Sequence, residues 1–246
     1  MTFALVPVKQ LAAGKSRLAR DLAARADGGA ISREALETLS LAMLEDVIDA
    51  LLATASVGRV VVVTPDDVVA ARALAAGAEA LVRDDPGLNP ALDAATEELS
   101  ASDPADSLGS RGSPGSGRAD ASLVVLGDVA GARAEDLESL FEARRTVDGD
   151  AVVLAPSRDG GTAALLRSPP SVIGGHFGPD SAKAHREAAD RAGVAFRECA
   201  LPSLAIDLDG AADLDAFVAG HDGDDGHDGG GRRTRALLRE LGWGST

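Results

Sequence analysis

Phe3-Ala-Leu-Val-Pro-Val8, followed at once by Lys9-Gln-Leu-Ala-Ala-Gly-Lys-Ser-Arg17, decides the fold. A short apolar run closed by a polar loop is the pattern of a buried strand. The pattern returns in Arg59-Val-Val-Val-Val-Thr64 and Ser122-Leu-Val-Val-Leu-Gly127, and more briefly over residues 80–82, 151–155, 162–167, 194–199 and 204–206. Helical periodicity fills the intervals. Over residues 32–54 the apolar positions Leu36, Leu39, Met43, Leu44, Val47, Ile48 and Leu51 recur at helical spacing, with Ser32 placed as an N-cap. Further helices are expected over residues 66–76, ending near Gly77, and over 89–100, 134–146 and 211–219; another runs from Pro179, as its first residue, to near Gly193. Strands that alternate with helices in this way predict a mostly parallel sheet covered on both faces. Such sheets bind ligands at the carboxyl ends of their strands, which singles out the loops after Val8, Val63, Leu126, Ala155 and Ile206.

The chain has 246 residues, a length that suits one large α/β domain or two small ones. Apolar residues make up 45% and aromatic ones only 2%, with no Tyr and one Trp, so Ala and Val must build the core. That scarcity argues against a platform for single-stranded nucleic acid, and the net charge of −15 argues against any phosphate backbone as partner. No run approaches the roughly 20 apolar residues of a membrane helix. The single cysteine, Cys199, reads as a small buried residue, and with the absence of a long apolar N-terminal region it predicts a cytoplasmic protein. One domain is expected over residues 1–220, interrupted by a Ser-, Gly-, Pro- and Asp-rich insertion at 102–120 that has almost nothing to bury. A low-complexity linker follows at 221–231, then a short basic helix or tail at 232–246.

Three constellations bear on chemistry. The loop after the first strand holds Lys9, Lys15 and Arg17 around Gly14, which fits either a solvated basic turn or a cradle for a nucleoside triphosphate. It is not a Walker A loop, because position 9, where the first glycine belongs, is Lys. Asp128 ends one apolar strand, and Asp207 and Asp209 follow Leu-Ala-Ile in the same manner. Carboxylates at two strand ends suit a hard cation such as Mg²⁺ shared with substrate phosphates, although Asp209 alone also suits a helix N-cap. Gly160-Gly-Thr162 and Phe177-Gly-Pro-Asp-Ser181 supply free amides and hydroxyls for a second anion site. Two anion sites with an acidic metal site between them are the layout of nucleotidyl transfer to a phosphorylated acceptor. His176, His185, His221 and His227 show no metal spacing, and no chemistry is expected of them.

Taken in order, Val6-Pro-Val-Lys-Gln-Leu-Ala-Ala-Gly-Lys-Ser-Arg-Leu18, Gly87-Leu-Asn-Pro-Ala-Leu92, Leu126-Gly-Asp128, Gly160-Gly-Thr162, Phe177-Gly-Pro-Asp-Ser-Ala182 and Ile206-Asp-Leu-Asp209 carry a resemblance. From Phe3 to Ala219 the chain resembles the guanylyltransferases of coenzyme F-420 biosynthesis, which join GMP to phosphoenolpyruvate or 2-phospho-L-lactate. The resemblance implies a Rossmann-like nucleotidyltransferase (GT-A-like) fold, Mg²⁺, GTP and a small phosphorylated carboxylic acid. It also implies Asp128, Asp207 and Asp209 as metal ligands; Thr162, Gly178 and Ser181 as contacts to the acceptor; Lys9, Lys15 and Arg17 facing the GTP phosphates; and the Gly87 to Asn89 turn at the guanosine. The strand-end motif Gly127-Asp-Val-Ala130 departs from the Ala-Asp-Leu-Pro usual in such proteins, while keeping the aspartate. Phe177 to Ala182 leans the acceptor towards phosphoenolpyruvate, with 2-phospho-L-lactate and 3-phosphoglycerate as alternatives. The rival readings are a sugar-phosphate or molybdopterin nucleotidyltransferase, which lacks its usual glycine-rich opening here, and a GTP-binding module without turnover.

Overall fold

The structure is a computed structural model that describes residues 1–11, 16–23, 32–101, 119–219 and 230–243. Most of the insertion and of the linker therefore lie outside the described residues, as does Lys15. The elements in chain order are β1 (Thr2–Pro7), α1 (Ser16–Ala23), α2 (Arg33–Ala53), β2 (Arg59–Thr64), α3 (Asp67–Ala75), β3 (Glu79–Val82), α4 (Leu88–Ala101), β4 (Ala121–Val125), α5 (Ala134–Arg145), β5 (Ala151–Pro156), β6 (Thr162–Ser168), α6 (Ser181–Ala192), β7 (Ala195–Glu198), α7 (Ala211–Ala219) and α8 (Arg232–Glu240).

Seven strands form one sheet in the order β3-β2-β1-β4-β6-β5-β7. Every neighbouring pair is parallel except the two made by β6, which runs against both β4 and β5. This single reversal brings the first residue of β6, Thr162, to the edge where the other strands end; it pairs there with Pro156.

Alternation along the strands splits the core. Ala4, Val6, Val60, Val62, Leu123 and Val125 face the layer of α2, α3 and α5, whereas Phe3, Leu5, Val61, Val63, Val124 and Leu165 face α4 and α6. A third cluster joins Leu18 of α1, Leu39 and Met43 of α2, Leu208, Leu214 and Phe217 near α7, and Leu238 of α8. The C-terminal helix is thus docked. Buried Asp46 on α2 accepts from the backbone N–H of Arg233 (3.0 Å) and Thr234 (2.8 Å) and from the Thr234 hydroxyl (2.7 Å), which satisfies orphan donors at the start of α8.

Three local expectations are corrected. Residues 204–206 form no strand: Pro202–Leu204 is a 3₁₀ turn, and the segment after it makes one backbone hydrogen bond to each of two flanking loops rather than a ladder. Pro179 lies in a turn, with α6 starting at Ser181 behind Asp180 in the left-handed region (φ 54°). Arg17 sits on helix α1, which no periodicity signal had marked, rather than in a loop.

Candidate active site

At the carboxyl ends of β1 to β4 a cavity of about 410 Å³ opens. Its wall includes Lys9 and Gln10 after β1, Arg17 of α1, Thr64 and Pro65 after β2, Arg83 to Asp85 after β3, Leu88 of α4, and Gly127, Asp128 and Asp209. The described part of the loop after β1, residues 8–11, is held at both ends. Val8 N–H donates to the Val63 carbonyl (2.9 Å), and Leu11 N–H donates to Asp66 (3.0 Å). The other oxygen of Asp66 caps α3 through the N–H groups of Val68 (2.9 Å) and Val69 (3.3 Å). One carboxylate therefore fixes both a helix start and the loop that presents Lys9. Lys9 and Arg17 are exposed at the rim.

The acidic residues meet through backbone contacts. Leu208 N–H donates to the carbonyl of Asp128 (3.1 Å), and Arg158 N–H donates to Ala205 (2.8 Å), so residues 205–209 are strung between the loops after β4 and β5. Leu208 is fully buried and anchors the flanking Asp207 and Asp209. Burial first, then the charge of Asp128, pushes the Asp207 carboxyl up to about 6, with smaller contributions from Asp159 and Asp209. Three neighbouring carboxylates thus disfavour the ionised form of Asp207. At Gly210, a Cβ would stand 2.9 Å from the Asp21 carboxylate and 3.6 Å from Nε of Arg17, so the absence of a side chain lets α1 close over this segment. Among the described residues no three His, Cys, Asp or Glu side chains form a closed cage for a metal.

The second expected anion site is organised differently. Ser181 donates to the Thr162 hydroxyl (3.0 Å), Thr162 Oγ1 lies 3.1 Å from His185 Nδ1, and His176 N–H donates to His185 Nε2 (3.0 Å). All three side chains are buried. Burial, then the neighbouring His176, lowers the His185 imidazole to about 4. The Gly160-Gly161 turn is set by Asp159, which accepts from Ser157 Oγ (2.6 Å) and Gly161 N–H (2.9 Å). These hydrogen bonds hold its carboxyl below the usual range. A Cβ at Gly161 would lie 2.6 Å from Ser157 Oγ, so no larger residue fits. Gly178 is exposed at φ 141°, with nothing within 4 Å of a built Cβ.

The structure thus brings Lys9, Arg17, Asp128 and Asp209 to one cavity, with Asp207 beside it. Thr162 and Ser181 come together at the adjoining sheet edge. The wall near α4 is made by Asp85 and Leu88 rather than Gly87 or Asn89. The Asn89 amide instead clasps the backbone of Phe177, accepting from its N–H (2.8 Å) and donating to its carbonyl (3.0 Å). Sequence reasoning missed Arg83, Asp84 and Asp159, although each follows a parallel strand, and it missed His185. Cys199 is half-buried rather than fully buried, and burial raises its thiol.

A family model described as "Guanylyl transferase CofC like" matches residues 2–105. The phosphoenolpyruvate guanylyltransferase of Sphaerobacter thermophilus is 35% identical over 221 residues, covering 89% of this chain and 93% of its own. That of Conexibacter woesei is 35% identical over 247 residues, covering 98% and 96%. Among solved structures, a protein described as a nucleotide-diphospho-sugar transferase from Desulfovibrio desulfuricans shares the fold at TM-score 0.69 and 16% identity, covering 98% of this chain and 95% of its own. A nucleotidyl transferase from Methanothermobacter does so at TM-score 0.56 and 16% identity, covering 98% and 99%.

Proposed function

The chain belongs to the CofC-like guanylyl transferase family, and from that premise we propose that it transfers GMP from GTP to phosphoenolpyruvate, releasing pyrophosphate and forming enolpyruvyl-2-diphospho-5′-guanosine for coenzyme F-420 biosynthesis. The observation that carries the reading is the single cavity lined by the cations Lys9 and Arg17 together with the carboxylates Asp128, at the end of β4, and Asp209, on the segment strung between two loops. Its volume of about 410 Å³ lies in the range of small-ligand pockets.

In this reading a phosphate oxygen of the acceptor attacks the α-phosphorus of GTP in line. A new P–O bond forms as the bond to the β-phosphate oxygen breaks, and pyrophosphate departs. A phosphate monoester carries roughly −1.5 to −2 charge at pH 7, so no strong general base is needed. What the protein must supply is position and charge neutralisation. Lys9 and Arg17 face the triphosphate, and the hydroxyls and amides around Thr162, Gly178 and Ser181 receive the acceptor.

The donor set suits Mg²⁺. All the acidic groups offer hard oxygen ligands, and the Asp207 carboxyl, raised first by burial and then by the charge of Asp128, is a site where a cation would offset the cost of ionisation. Because Mg²⁺ takes one or two carboxylates with the rest of its ligands from water and phosphate, an all-protein cage is not required. Asp128 and Asp209 in the cavity wall, with Asp207 beside them, would hold it. When bound, the ion offsets the charge of two polyanions meeting on an acidic protein.

Pyrophosphate release is the test, with GTP against ATP and CTP, and with phosphoenolpyruvate, 2-phospho-L-lactate and 3-phosphoglycerate as acceptors. Release with GTP and phosphoenolpyruvate is expected. GTP binding without turnover on any acceptor would leave a regulatory module in its place.

A further inference from the structure

His185 was assigned no chemistry from the sequence, yet it lies at the centre of the acceptor corner. Its ring makes two hydrogen bonds that together fix its tautomer. Nε2 faces the backbone N–H of His176 at 3.0 Å, and an amide N–H can only donate, so Nε2 is unprotonated. A neutral imidazole carries one proton. It must then sit on Nδ1, which faces Thr162 Oγ1 at 3.1 Å. The Thr162 hydroxyl cannot donate to a nitrogen that already bears hydrogen, so it accepts from His185. It also accepts from Ser181 at 3.0 Å. With both lone pairs so engaged, its own proton can turn out of the cluster, toward a ligand.

Several neighbours hold this arrangement. The ring is fully buried and meets Phe177 edge-on, with centroids 4.9 Å apart, and Phe177 is itself clasped by Asn89. The Ser181 carbonyl also faces the ring and favours a proton on it, while burial, His176 and Arg167 disfavour a second. Thr162 opens β6 at the edge where β4 and β5 end, paired with Pro156, and in the proposed reaction the acceptor lies beyond that edge.

We propose that His185 is a positioning residue: through its Nδ1–H it turns the Thr162 hydroxyl into a fixed hydrogen-bond donor toward the phosphate or carboxylate of the acceptor. The role deepens the proposed guanylyl transfer and rests on that reading. Orienting the donor before the acceptor arrives removes the cost of turning it at the moment of binding.

The test is steady-state pyrophosphate release with GTP and phosphoenolpyruvate, using His185→Asn, His185→Gln, Thr162→Val and the double variants that combine each His185 substitution with Thr162→Val. An Asn side-chain amide overlays Nδ1 and keeps a donor toward Thr162, whereas a Gln amide overlays Nε2 and does not. His185→Gln and Thr162→Val should each lower kcat/KM for the acceptor about tenfold or more, with KM for GTP within about twofold of wild type. His185→Asn should stay within about threefold of wild type. In the Thr162→Val background, His185→Gln should have no further effect, because the hydroxyl through which it acts is gone. Equal losses in the Asn and Gln variants, or losses that multiply in the double variant, would overturn the positioning role. A wild-type enzyme that releases no pyrophosphate with phosphoenolpyruvate would overturn the reaction assigned above, and this role with it.

Discussion

The two halves of the sheet's ligand edge hold their polar groups in opposite ways. Around the cavity at β1 to β4, Lys9 and Arg17 are exposed on a loop and a short helix, the loop held by the N–H groups of Val8 and Leu11. At the β5, β6 and α6 corner, Thr162, Ser181 and His185 are at most 2% exposed and hydrogen-bonded to one another. The difference follows from what each kind of group needs. A cation attracts phosphate from any direction and tolerates a flexible stem, whereas a neutral hydroxyl helps only when its dipole is aimed. The cavity gathers charge, and the corner supplies geometry.

That contrast can be broken by substitution. The largest effect is expected where the two halves meet. Asp128→Ala should lower turnover of the order of a thousandfold while leaving the thermal unfolding midpoint near wild type, since a half-buried strand-end carboxylate adds little packing. Chelation of Mg²⁺ should bring wild type down to the same level. Near-normal activity of Asp128→Ala would remove the carboxylate from the site.

Next in size is a pH effect confined to the buried corner. The folded state holds His185 near 4, below the roughly 6.5 of a free imidazole, so the fold prefers the neutral ring. Its contribution to stability is fully present above about pH 6.5 and is lost as the pH falls from there toward about 4, because the unfolded chain then binds the extra proton. The difference approaches about 3 kcal/mol at the acid end. Denaturant titrations of wild type and His185→Asn between pH 7 and 4 should diverge by that order; parallel curves would show that the ring is not held neutral.

Removing both hydroxyls of the corner, Thr162→Val with Ser181→Ala, should lower kcat/KM for the acceptor on the order of a hundredfold and spare KM for GTP. A rise in KM for GTP with the acceptor unaffected would mean that the two halves have been exchanged. Smallest is Arg17→Ala, a single exposed cation, with an expected rise of about tenfold in KM for GTP and little change for the acceptor. A larger effect on the acceptor than on GTP would place Arg17 between the substrates.

Legibility in the sequence followed local pattern. Helix α2 was readable from its apolar spacing and from Ser32, whose Oγ caps Ala35 at 3.1 Å, and α3 from Asp66 and the glycine that ends it. Strand ends identified Asp128 and the β1 loop. Helix α1 was not readable, because only eight residues carry it and its burial comes from Leu18 meeting Leu208 and Leu214, far along the chain. The Leu204 to Ile206 stretch looked like a strand because apolar composition does not reveal whether a neighbouring strand is free to pair. The resemblance places Asn89 at the guanosine, and only the structure shows that its amide also clasps the Phe177 backbone 88 residues away.

By itself the sequence determined the alternation of strands and helices, the edge at which the cavity opens, and the ordered motifs that place the chain in its family. These are encoded in neighbours along the chain, through periodicity, caps and turn residues. The tertiary structure alone decided that β6 runs backwards and carries Thr162 to the ligand edge, that residues 205–209 hang between two loops so that three aspartates share one field, and that His185 faces Thr162. Those facts depend on which distant groups meet and on the direction in which each hydrogen bond runs, and a donor's direction is fixed only when all of its partners are in place.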